Sequence, residues 1–138
     1  MIVLDTNVLS EVMRASPERA VAVWMARENP RDLFTTAITE AEILLGVAML
    51  PASRRKNELD AAARRVIALF ASRILPFESR AAQSFAQIVA ARRRIGSPIN
   101  DFDALIAAIT HSQGMALATR NISDFEGTGI NVIDPWKV

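Results

Sequence analysis

The sequence contains no cysteine and only one histidine. Without cysteine the chain can form neither a disulfide framework nor a thiolate metal site, and this composition fits a reducing compartment. The single His111 excludes a multi-histidine zinc site and is expected to be a surface or partly packed residue. Any divalent metal would therefore need oxygen ligands, which are the ligands that Mg²⁺ and Mn²⁺ accept.

Long apolar runs are also missing. No run reaches the ~20 residues that span a bilayer, and no charged-then-apolar leader precedes the first predicted strand. We therefore expect a soluble protein that is not secreted through a signal peptide. Its net charge of +1 implies no strong global field. The 51% hydrophobic content is high for 138 residues and hints at surface that is buried against another protein.

The amino-terminal stretch predicts a buried strand that ends on a carboxylate. Ile2, Val3 and Leu4 run without alternation, as in a strand covered on both faces, and Asp5 follows directly. In an open parallel sheet the ligand crevice lies beyond the carboxyl ends of the strands, so Asp5 is well placed for chemistry. The alternative is that Asp5 only caps the helix that starts near Val8.

Predicted strands alternate with predicted helices along the rest of the chain. This alternation indicates an α/β fold with a central, mostly parallel sheet of four or five strands flanked by helices, in one domain over residues 1–138. The predicted strands are 2–4, 33–36, 73–77, 115–118 and 130–133, and the predicted helices are 8–14, 17–29, 39–50, 53–71, 79–95 and 100–112.

Polar side chains recur where a parallel sheet would gather them at one edge. Asp5 ends the first strand, Glu42 lies early in the helix after the second strand, and Asp103 lies at the start of a later helix. Thr119, Asn121 and Asp124 follow the fourth predicted strand. Crowded carboxylates raise one another's pKa unless a cation sits among them. Such a cluster suits metal-assisted hydrolysis of a phosphodiester.

Each acid also has a structural explanation. Thr39-x-x-Glu42 fits a capping box, Asn100-x-x-Asp103 imitates one, and Asp124 lies in a turn-like segment. Asp101 and Asp103 cannot both face the site, because two helical steps of ~100° separate them. We favour Asp103, since the apolar residues three and four places on would bring its side against the sheet.

Four segments together resemble a known family. "VLDTNVLSE", "TEAEILLG", "DFDALIAAI" and "LATRNISDFEGTGINVIDPW" are similar, in this order, to PIN-domain proteins. Within them the sequence most resembles the VapC/FitB-type toxins of bacterial toxin–antitoxin modules. The resemblance covers essentially the whole chain. It implies a PIN fold, a metal-dependent endoribonuclease activity in the bacterial cytoplasm, and a small cognate antitoxin that blocks it.

The resemblance also implies roles for individual residues. The family's three acids fall on Asp5, Glu42 and Asp103, which would hold Mg²⁺ or Mn²⁺. Many PIN domains have a fourth acid where this chain has Asn121, so Asn121 and Asp124 are expected to complete the shell, partly through water. The remaining expectations concern the substrate: Thr6 and Thr119 would help to position it.

Partners follow from the same resemblance and from the surface pattern. Basic residues are grouped at Arg54-Arg55-Lys56, Arg64-Arg65 and Arg92-Arg93-Arg94, and such runs are typical of solvated helix faces. Some residues of the first and third groups would guide the RNA backbone. The helix around 43–50 is apolar most of the way round, so we expect it, with the 53–71 helix, to bury against an antitoxin helix. A homodimer or a larger assembly with the antitoxin is also expected.

Two other functions remain open from the sequence. In a receiver-type phosphoryl-transfer domain Asp5 would be a nucleophile, but Asn7 stands where a second acid is expected and no lysine comes directly after a late strand. The other is a catalytically silent PIN-like scaffold that binds RNA or protein, and the three retained acids argue against it.

Overall fold

The computed structural model describes residues 1–138 and contains one sheet of five strands, in the order β3-β2-β1-β4-β5. All four strand pairs are parallel. The strands are β1 (Ile2–Leu4), β2 (Leu33–Thr36), β3 (Ile74–Leu75), β4 (Ala116–Ala118) and β5 (Val132–Ile133). The helices are α1 (Thr6–Val12), α2 (Arg19–Arg27), α3 (Ala37–Ala48), α4 (Arg54–Leu69), α5 (Ser79–Arg94) and α6 (Asp101–Ser112), with short 3₁₀ helices at Pro30–Asp32 and Ile122–Phe125. The predicted α/β fold class with a parallel sheet is confirmed.

The sheet is covered on both faces, as its continuous apolar strands predict. Leu4 packs with Val8 and Ile43 in one core cluster, which includes side chains from α1 to α4. Val3 packs with Ile106 and other residues of α5 and α6 in the cluster on the opposite face. Successive strand residues point to opposite faces, so neighbouring residues of β1 supply both cores.

The strand order reverses next to β1. The chain runs from β1 outward through β2 to β3, and then returns to the other side of β1 as β4 and β5. A ligand crevice in a parallel sheet forms at such a reversal, outside the carboxyl ends of the strands. Asp5 follows β1, and Thr119 follows β4, so both residues lie at this point.

Three predicted helix starts differ from the structure by two residues. α1 begins at Thr6 and not near Val8, because Asp5 caps it. α3 begins at Ala37, because the hydroxyl of Thr36 caps it by accepting from Thr39 N at 3.1 Å. Thr39 is therefore inside the helix, and the predicted capping box with Glu42 does not form. α2 begins two residues later than its proline suggested, because the backbone N–H of Glu18 donates to the buried Glu11 carboxylate.

No helix combines the length and the apolar character that a bilayer crossing would require.

Candidate active site at the carboxyl edge of the sheet

Asp5 is the buried centre of the polar edge. Its side chain is only 3% exposed, although it follows the strand directly. Oδ1 accepts from the backbone N–H of Thr6 at 2.8 Å, and Oδ2 accepts from Thr119 Oγ1 at 2.7 Å and from Asn7 Nδ2 at 3.3 Å. Asp5 thus caps α1, as the structural alternative predicted, and also lines the pocket at this edge.

Thr119 joins the ends of β1 and β4. It is fully buried, and its hydroxyl donates to Asp5 while accepting from Asn7 Nδ2 at 3.0 Å and from the backbone N–H of Asn121 at 3.1 Å. These contacts fix the Asp5 carboxylate. The predicted role of Thr119 was to position substrate, but a fully buried hydroxyl has no surface to offer a substrate, and its geometry favours positioning Asp5.

Glu42 reaches the same edge from α3. Thr6 Oγ1 donates to Glu42 Oε1 at 2.7 Å and lies 3.1 Å from the hydroxyl of Thr39. The hydroxyl of Thr6 therefore orients the carboxylate of Glu42, which lines the pocket together with Asp5. Thr6 and Glu42 come close to each other because α1 and α3 pack together.

Asp103 enters the pocket from the first turn of α6. Asn100 caps this helix by accepting from Asp103 N at 2.9 Å, and Asn100 Nδ2 donates to Asp103 Oδ2 at 2.7 Å. Asp103 lines the pocket and is half-buried, whereas Asp101 is exposed and lines no part of it. The structure thus brings Asp103 rather than Asp101 to the site, as its helical position predicted.

The pocket disfavours negative charge on two of its carboxyl groups. Burial raises the pKa of Asp5 above its ordinary value, the hydrogen bonds from Thr119 and Thr6 lower it, and the charges of Glu42 and Asp124 raise it further. Burial, followed by the charges of Asp5 and Asp124, raises the pKa of Asp103 to about 6. A cation among these groups would relieve this repulsion.

The donor set of the pocket fits a hard divalent ion. The pocket has a volume of about 440 Å³, and Asp5, Glu42, Asp103 and Asn121 line it with oxygen-bearing side chains. No set of three or more carboxylate, histidine or cysteine side chains forms a ready-made metal site. Mg²⁺ usually keeps several waters and takes one or two direct carboxylates, so a shared pocket of this kind suits it.

Asn121 and Asp124 occupy different positions in the site. Asn121 lines the pocket, while Asp124 is exposed in the 3₁₀ helix Ile122–Phe125 and does not line it. Asp124 still acts on the pocket through its charge, which raises the pKa of both Asp5 and Asp103. Of these two residues only Asn121 lines the pocket, so Asn121 is better placed than Asp124 to contact a bound ligand.

Several pocket residues were not predicted. Asn7, Ser10 and Glu11 lie on α1, with Arg14 just beyond it, and their spacing of three to four residues marks one polar helix face that could have been found from the sequence. The remaining two, Arg120 and Trp136, follow β4 and β5, and only the pairing of those strands brings them together.

The predicted basic clusters lie away from this pocket. Arg54 pairs with Glu58 at 3.0 Å, and Arg64 pairs with Asp60 at 3.1 Å, as expected for solvated helix faces. Arg92 belongs to one of the clusters from which RNA-guiding residues were expected, but it cannot be one of them, because it is 4% exposed and donates to backbone carbonyls. The basic residues that line the pocket are Arg14 and Arg120.

The apolar surface differs in part from the expectation. On α3, Ile43 and Val47 are buried in the core, whereas Leu45 and Met49 are exposed. A separate apolar groove of about 530 Å³ involves α4, α1, α2 and β2 but no residue of α3. The groove is lined by Val12, Met25, Pro30, Leu33, Val66, Leu69, Phe70 and Arg73.

His111 is an exposed residue of α6, as predicted. Its Nδ1 lies 2.9 Å from the hydroxyl of Ser84 on α5, so the pair links two packed helices. His111 does not line the acidic pocket.

Comparison with known proteins places this arrangement in a family. The family model described as PIN domain matches residues 2–129. The chain is 40% identical over 141 residues to VapC ribonuclease Y4jK of Sinorhizobium fredii, with 99% of each chain covered. It is 38% identical over 137 residues to Toxin FitB of Neisseria gonorrhoeae, again with 99% of each chain covered. A solved structure of FitAB bound to an IR36 DNA fragment contains a chain that matches with a TM-score of 0.93 and 38% identity, covering 100% of this chain and 97% of the matched one.

Proposed function

This chain belongs to the PIN-domain family, in the group of VapC and FitB toxins, and from that premise we propose that it is an endoribonuclease that uses Mg²⁺ or Mn²⁺ and acts as the toxin of a toxin–antitoxin module. The observation that carries the proposal is the shared pocket of Asp5, Glu42 and Asp103 at the sheet reversal. We further propose that residues 1–138 act as one PIN domain in the bacterial cytoplasm.

The protein's residues prepare the pocket in three ways. Thr119 and the N–H of Thr6 fix the Asp5 carboxylate, and the Thr6 hydroxyl fixes Glu42. Asn100 holds Asp103 at the start of α6. Asp5, Glu42 and Asp103 would hold the metal, with Asn121 and Asp124 contributing partly through water. When bound, a divalent ion supplies water activation and neutralisation of charge on the phosphate.

The two alternative functions, a receiver-type phosphoryl-transfer domain and a catalytically silent scaffold, fit this site less well. Both oxygens of Asp5 accept hydrogen bonds from Thr6, Asn7 and Thr119, which does not favour a free aspartate nucleophile. A silent scaffold has no need for carboxyl groups whose pKa is raised by mutual repulsion, because neutral side chains would be more stable there.

Cleavage of RNA by the purified protein tests the proposal. The chain, freed of any inhibitor, is incubated with total bacterial RNA and Mg²⁺, Mn²⁺ or EDTA, and the new RNA ends are sequenced. We expect Asp5→Asn and Asp103→Asn to lower the cleavage rate by roughly 100-fold or more. Asn caps a helix as well as Asp does, so Asp5→Asn preserves α1.

Asp101→Asn is the matched control, because Asp101 is exposed on the same helix turn and lies outside the pocket. It should cleave like the wild type. Unchanged cleavage in Asp5→Asn or Asp103→Asn, or undiminished cleavage in EDTA, would contradict the proposal.

The proposed antitoxin partner is supported by the FitAB assembly and by the apolar groove beside α4. The groove suits the apolar face of a helix, and Leu69 on its rim is 70% exposed. We expect Leu69→Glu to weaken binding of the protein encoded by the adjoining gene while RNA cleavage stays unchanged. Equal binding by Leu69→Glu and by the exposed-residue control Ala68→Glu would argue against this groove.

A further inference from the structure

Arg120 and Trp136 form a second feature of the active-site pocket, beside the carboxylates. The guanidinium carbon of Arg120 lies 5.1 Å from the centroid of the Trp136 ring, within the range of a cation–π interaction. Trp136 is the only apolar residue that lines the pocket. Two side chains from the turns after different strands thus meet at the edge where a substrate would enter.

The backbone around both residues is fixed by hydrogen bonds. The N–H of Arg120 donates to Asn7 Oδ1 at 3.2 Å, and Asn7 also contacts Asp5. The N–H of Trp136 donates to Asp134 Oδ1 at 2.9 Å, in a turn after β5. The pairing of β4 with β5 places these two turns side by side. The Arg120 backbone is therefore tied to the residues that hold Asp5.

Arg120 forms no ion pair within the protein, and its only charge contact is the one with the Trp136 ring. Arg14, the other basic residue of the pocket, forms an ion pair with Glu11 at 3.2 Å, but Arg120 forms none. Arg120 is exposed, so its guanidinium can reach a ligand in the pocket. A planar guanidinium binds phosphate through two parallel N–H bonds, and stacking on an aromatic ring fixes its plane.

The face of the Trp136 indole ring is the part of this side chain that contacts Arg120. Its Nε1 is buried and has no hydrogen-bond partner, so no polar contact requires a tryptophan at this position. The ring packs on one side against the core cluster that contains Leu4. A rigid, partly buried ring of this kind holds the Arg120 side chain in place and reduces the conformational entropy that Arg120 loses on binding.

We propose that Arg120 and Trp136 form a phosphate-binding subsite for the RNA strand beside the carboxylate cluster. In this subsite the guanidinium of Arg120 binds a backbone phosphate next to the one that is cleaved, and the Trp136 ring positions the guanidinium. The inference rests on the proposed ribonuclease function. It names RNA phosphate as the ligand, because Arg120 is the one basic residue of the pocket without an ion-pair partner, and the four carboxylates that also line the pocket would otherwise repel a polyanion.

RNA binding without cleavage tests the subsite. Labelled single-stranded RNA of mixed sequence is titrated with the full chain in EDTA at several salt concentrations. We expect Arg120→Gln to raise the Kd by about 10-fold and to reduce the salt slope by about 0.7, the value for one lost phosphate contact on a single strand. Arg120→Lys keeps the charge but loses the planar contact, so it should raise the Kd by about 3-fold.

Arg31→Gln is the matched control for the change in net charge. Arg31 is exposed and precedes β2, so it lies at the amino ends of the strands, whereas the pocket lies at their carboxyl ends. It should bind RNA like the wild type. If Arg120→Gln bound as tightly as Arg31→Gln, the subsite would be ruled out.

A double-mutant cycle tests the role of Trp136. If the ring acts through the guanidinium, Trp136→Leu raises the Kd by about 3-fold in the wild type and has no further effect in Arg120→Gln. Equal effects in both backgrounds would overturn the positioning role. Trp136→Phe, which keeps an aromatic ring and removes no hydrogen bond, should bind nearly as well as the wild type.

A second readout covers the case in which Trp136→Leu does not fold. Trp24 is the only other tryptophan, so in Trp24→Phe the emission reports on Trp136 alone. RNA should change this emission, and Arg120→Gln should abolish the change. An emission change that persists in Arg120→Gln would count against the contact.

Cleavage by the wild type in Mg²⁺ separates this inference from the proposed function. If the wild type cleaves RNA, Arg120→Gln should raise KM by about 10-fold with a smaller change in kcat, as for loss of uniform binding. Cleavage with an unchanged KM in Arg120→Gln would overturn the subsite alone. No cleavage by the wild type, together with weakened binding in Arg120→Gln, would overturn the nuclease function and leave the RNA subsite standing.

Discussion

Asp103 carries a negative charge that the metal-free pocket disfavours. Its pKa is raised from 3.8 to about 6, so the folded protein holds this proton more tightly than the unfolded chain does. The stability of the metal-free protein should therefore fall as the pH rises from below 3.8 through about 6. The same repulsion that lowers stability prepares the pocket for a cation.

We predict that Asp103→Asn stabilises the metal-free protein at pH 7.5 but not at pH 3.5. The neutral amide keeps the acceptor for Asn100 Nδ2 and removes the charge. The gain at pH 7.5 should be on the order of 1 kcal/mol, discounted because the side chain is half exposed. Urea denaturation in EDTA at both pH values measures it. Asp101→Asn should show no pH-dependent difference from the wild type, and a gain in Asp103→Asn that is equal at both pH values would refute the explanation.

A second prediction concerns the buried hydroxyl of Thr119. Thr119→Val removes the hydroxyl and leaves Asp5, Asn7 and the N–H of Asn121 without their shared partner. The free energy of unfolding should fall by about 1–3 kcal/mol. Thr119→Ser keeps the hydroxyl and should lose about 1 kcal/mol for the methyl group at most. Chemical denaturation compares the two, and a serine variant less stable than the valine variant would contradict the role of the hydrogen bonds.

Among the structural elements, the loops after α5 and β4 depend on one buried arginine. Arg92 donates to Ser97 O and Asp124 O, both at 2.6 Å, and to Glu126 O at 2.9 Å. Gly96, at φ 71°, ends α5 and turns Ser97 back so that its N–H bonds Arg92 O at 3.0 Å. The arginine thus joins the segment that precedes Asp103 to the segment that carries Asp124.

Arg92→Met should destabilise the protein by roughly 2–4 kcal/mol, because methionine matches the apolar stem but leaves three carbonyl groups without a donor. Thermal and urea denaturation measure the loss. Hydrogen exchange of the amides around Asp124 should also accelerate, since the segment would lose its anchor. The neighbouring Arg93 is exposed, so Arg93→Met should change stability by less than about 0.5 kcal/mol. Exchange rates that match between the two variants would contradict the anchoring role.

The elements themselves were largely predictable, and their exact ends were not. Ile2–Leu4 and Leu33–Thr36 were predicted with the observed bounds, because uninterrupted apolar or β-branched runs end at polar residues. The start of α3 was missed, since Thr36 and Thr39 are equally good caps by residue type and only the observed bond to Thr39 N distinguishes them. The burial of Arg92 could not be predicted, because two of its three carbonyl partners lie about 30 residues away in the chain.

For the whole molecule, the strand order determines what the sequence could predict of the site. Asp5, Glu42 and Asp103 could be assigned to one edge because Asp5 follows a strand and the two others lie in the first turns of helices. Arg120 and Trp136 could not, because their contact requires β4 and β5 to be neighbours. Sequence patterns locate residues along one element, whereas contacts between turns depend on the complete topology.

The last prediction concerns the whole protein in the presence of metal. An ion that binds only the folded state raises the free energy of unfolding by about 2.7 kcal/mol at 100 times its Kd, which corresponds to roughly 10 °C in Tm for a domain of this size. We expect Mg²⁺ and Mn²⁺ to raise the Tm of the wild type at pH 7.5. The rise should be smaller at pH 5, where Asp103 must first lose the proton that its raised pKa retains.

The same measurement on variants assigns the stabilisation to the pocket. Asp103→Asn should lose most of the metal-dependent rise in Tm, whereas Asp101→Asn, with the same change in net charge, should keep it. NaCl at matched ionic strength controls for screening of the crowded carboxylates, which by itself would stabilise the protein slightly. An equal rise in Tm for Asp101→Asn and Asp103→Asn would mean that the ion binds elsewhere on the surface. In that case the raised pKa of Asp103 would reflect only burial and repulsion, with no cation bound to relieve them.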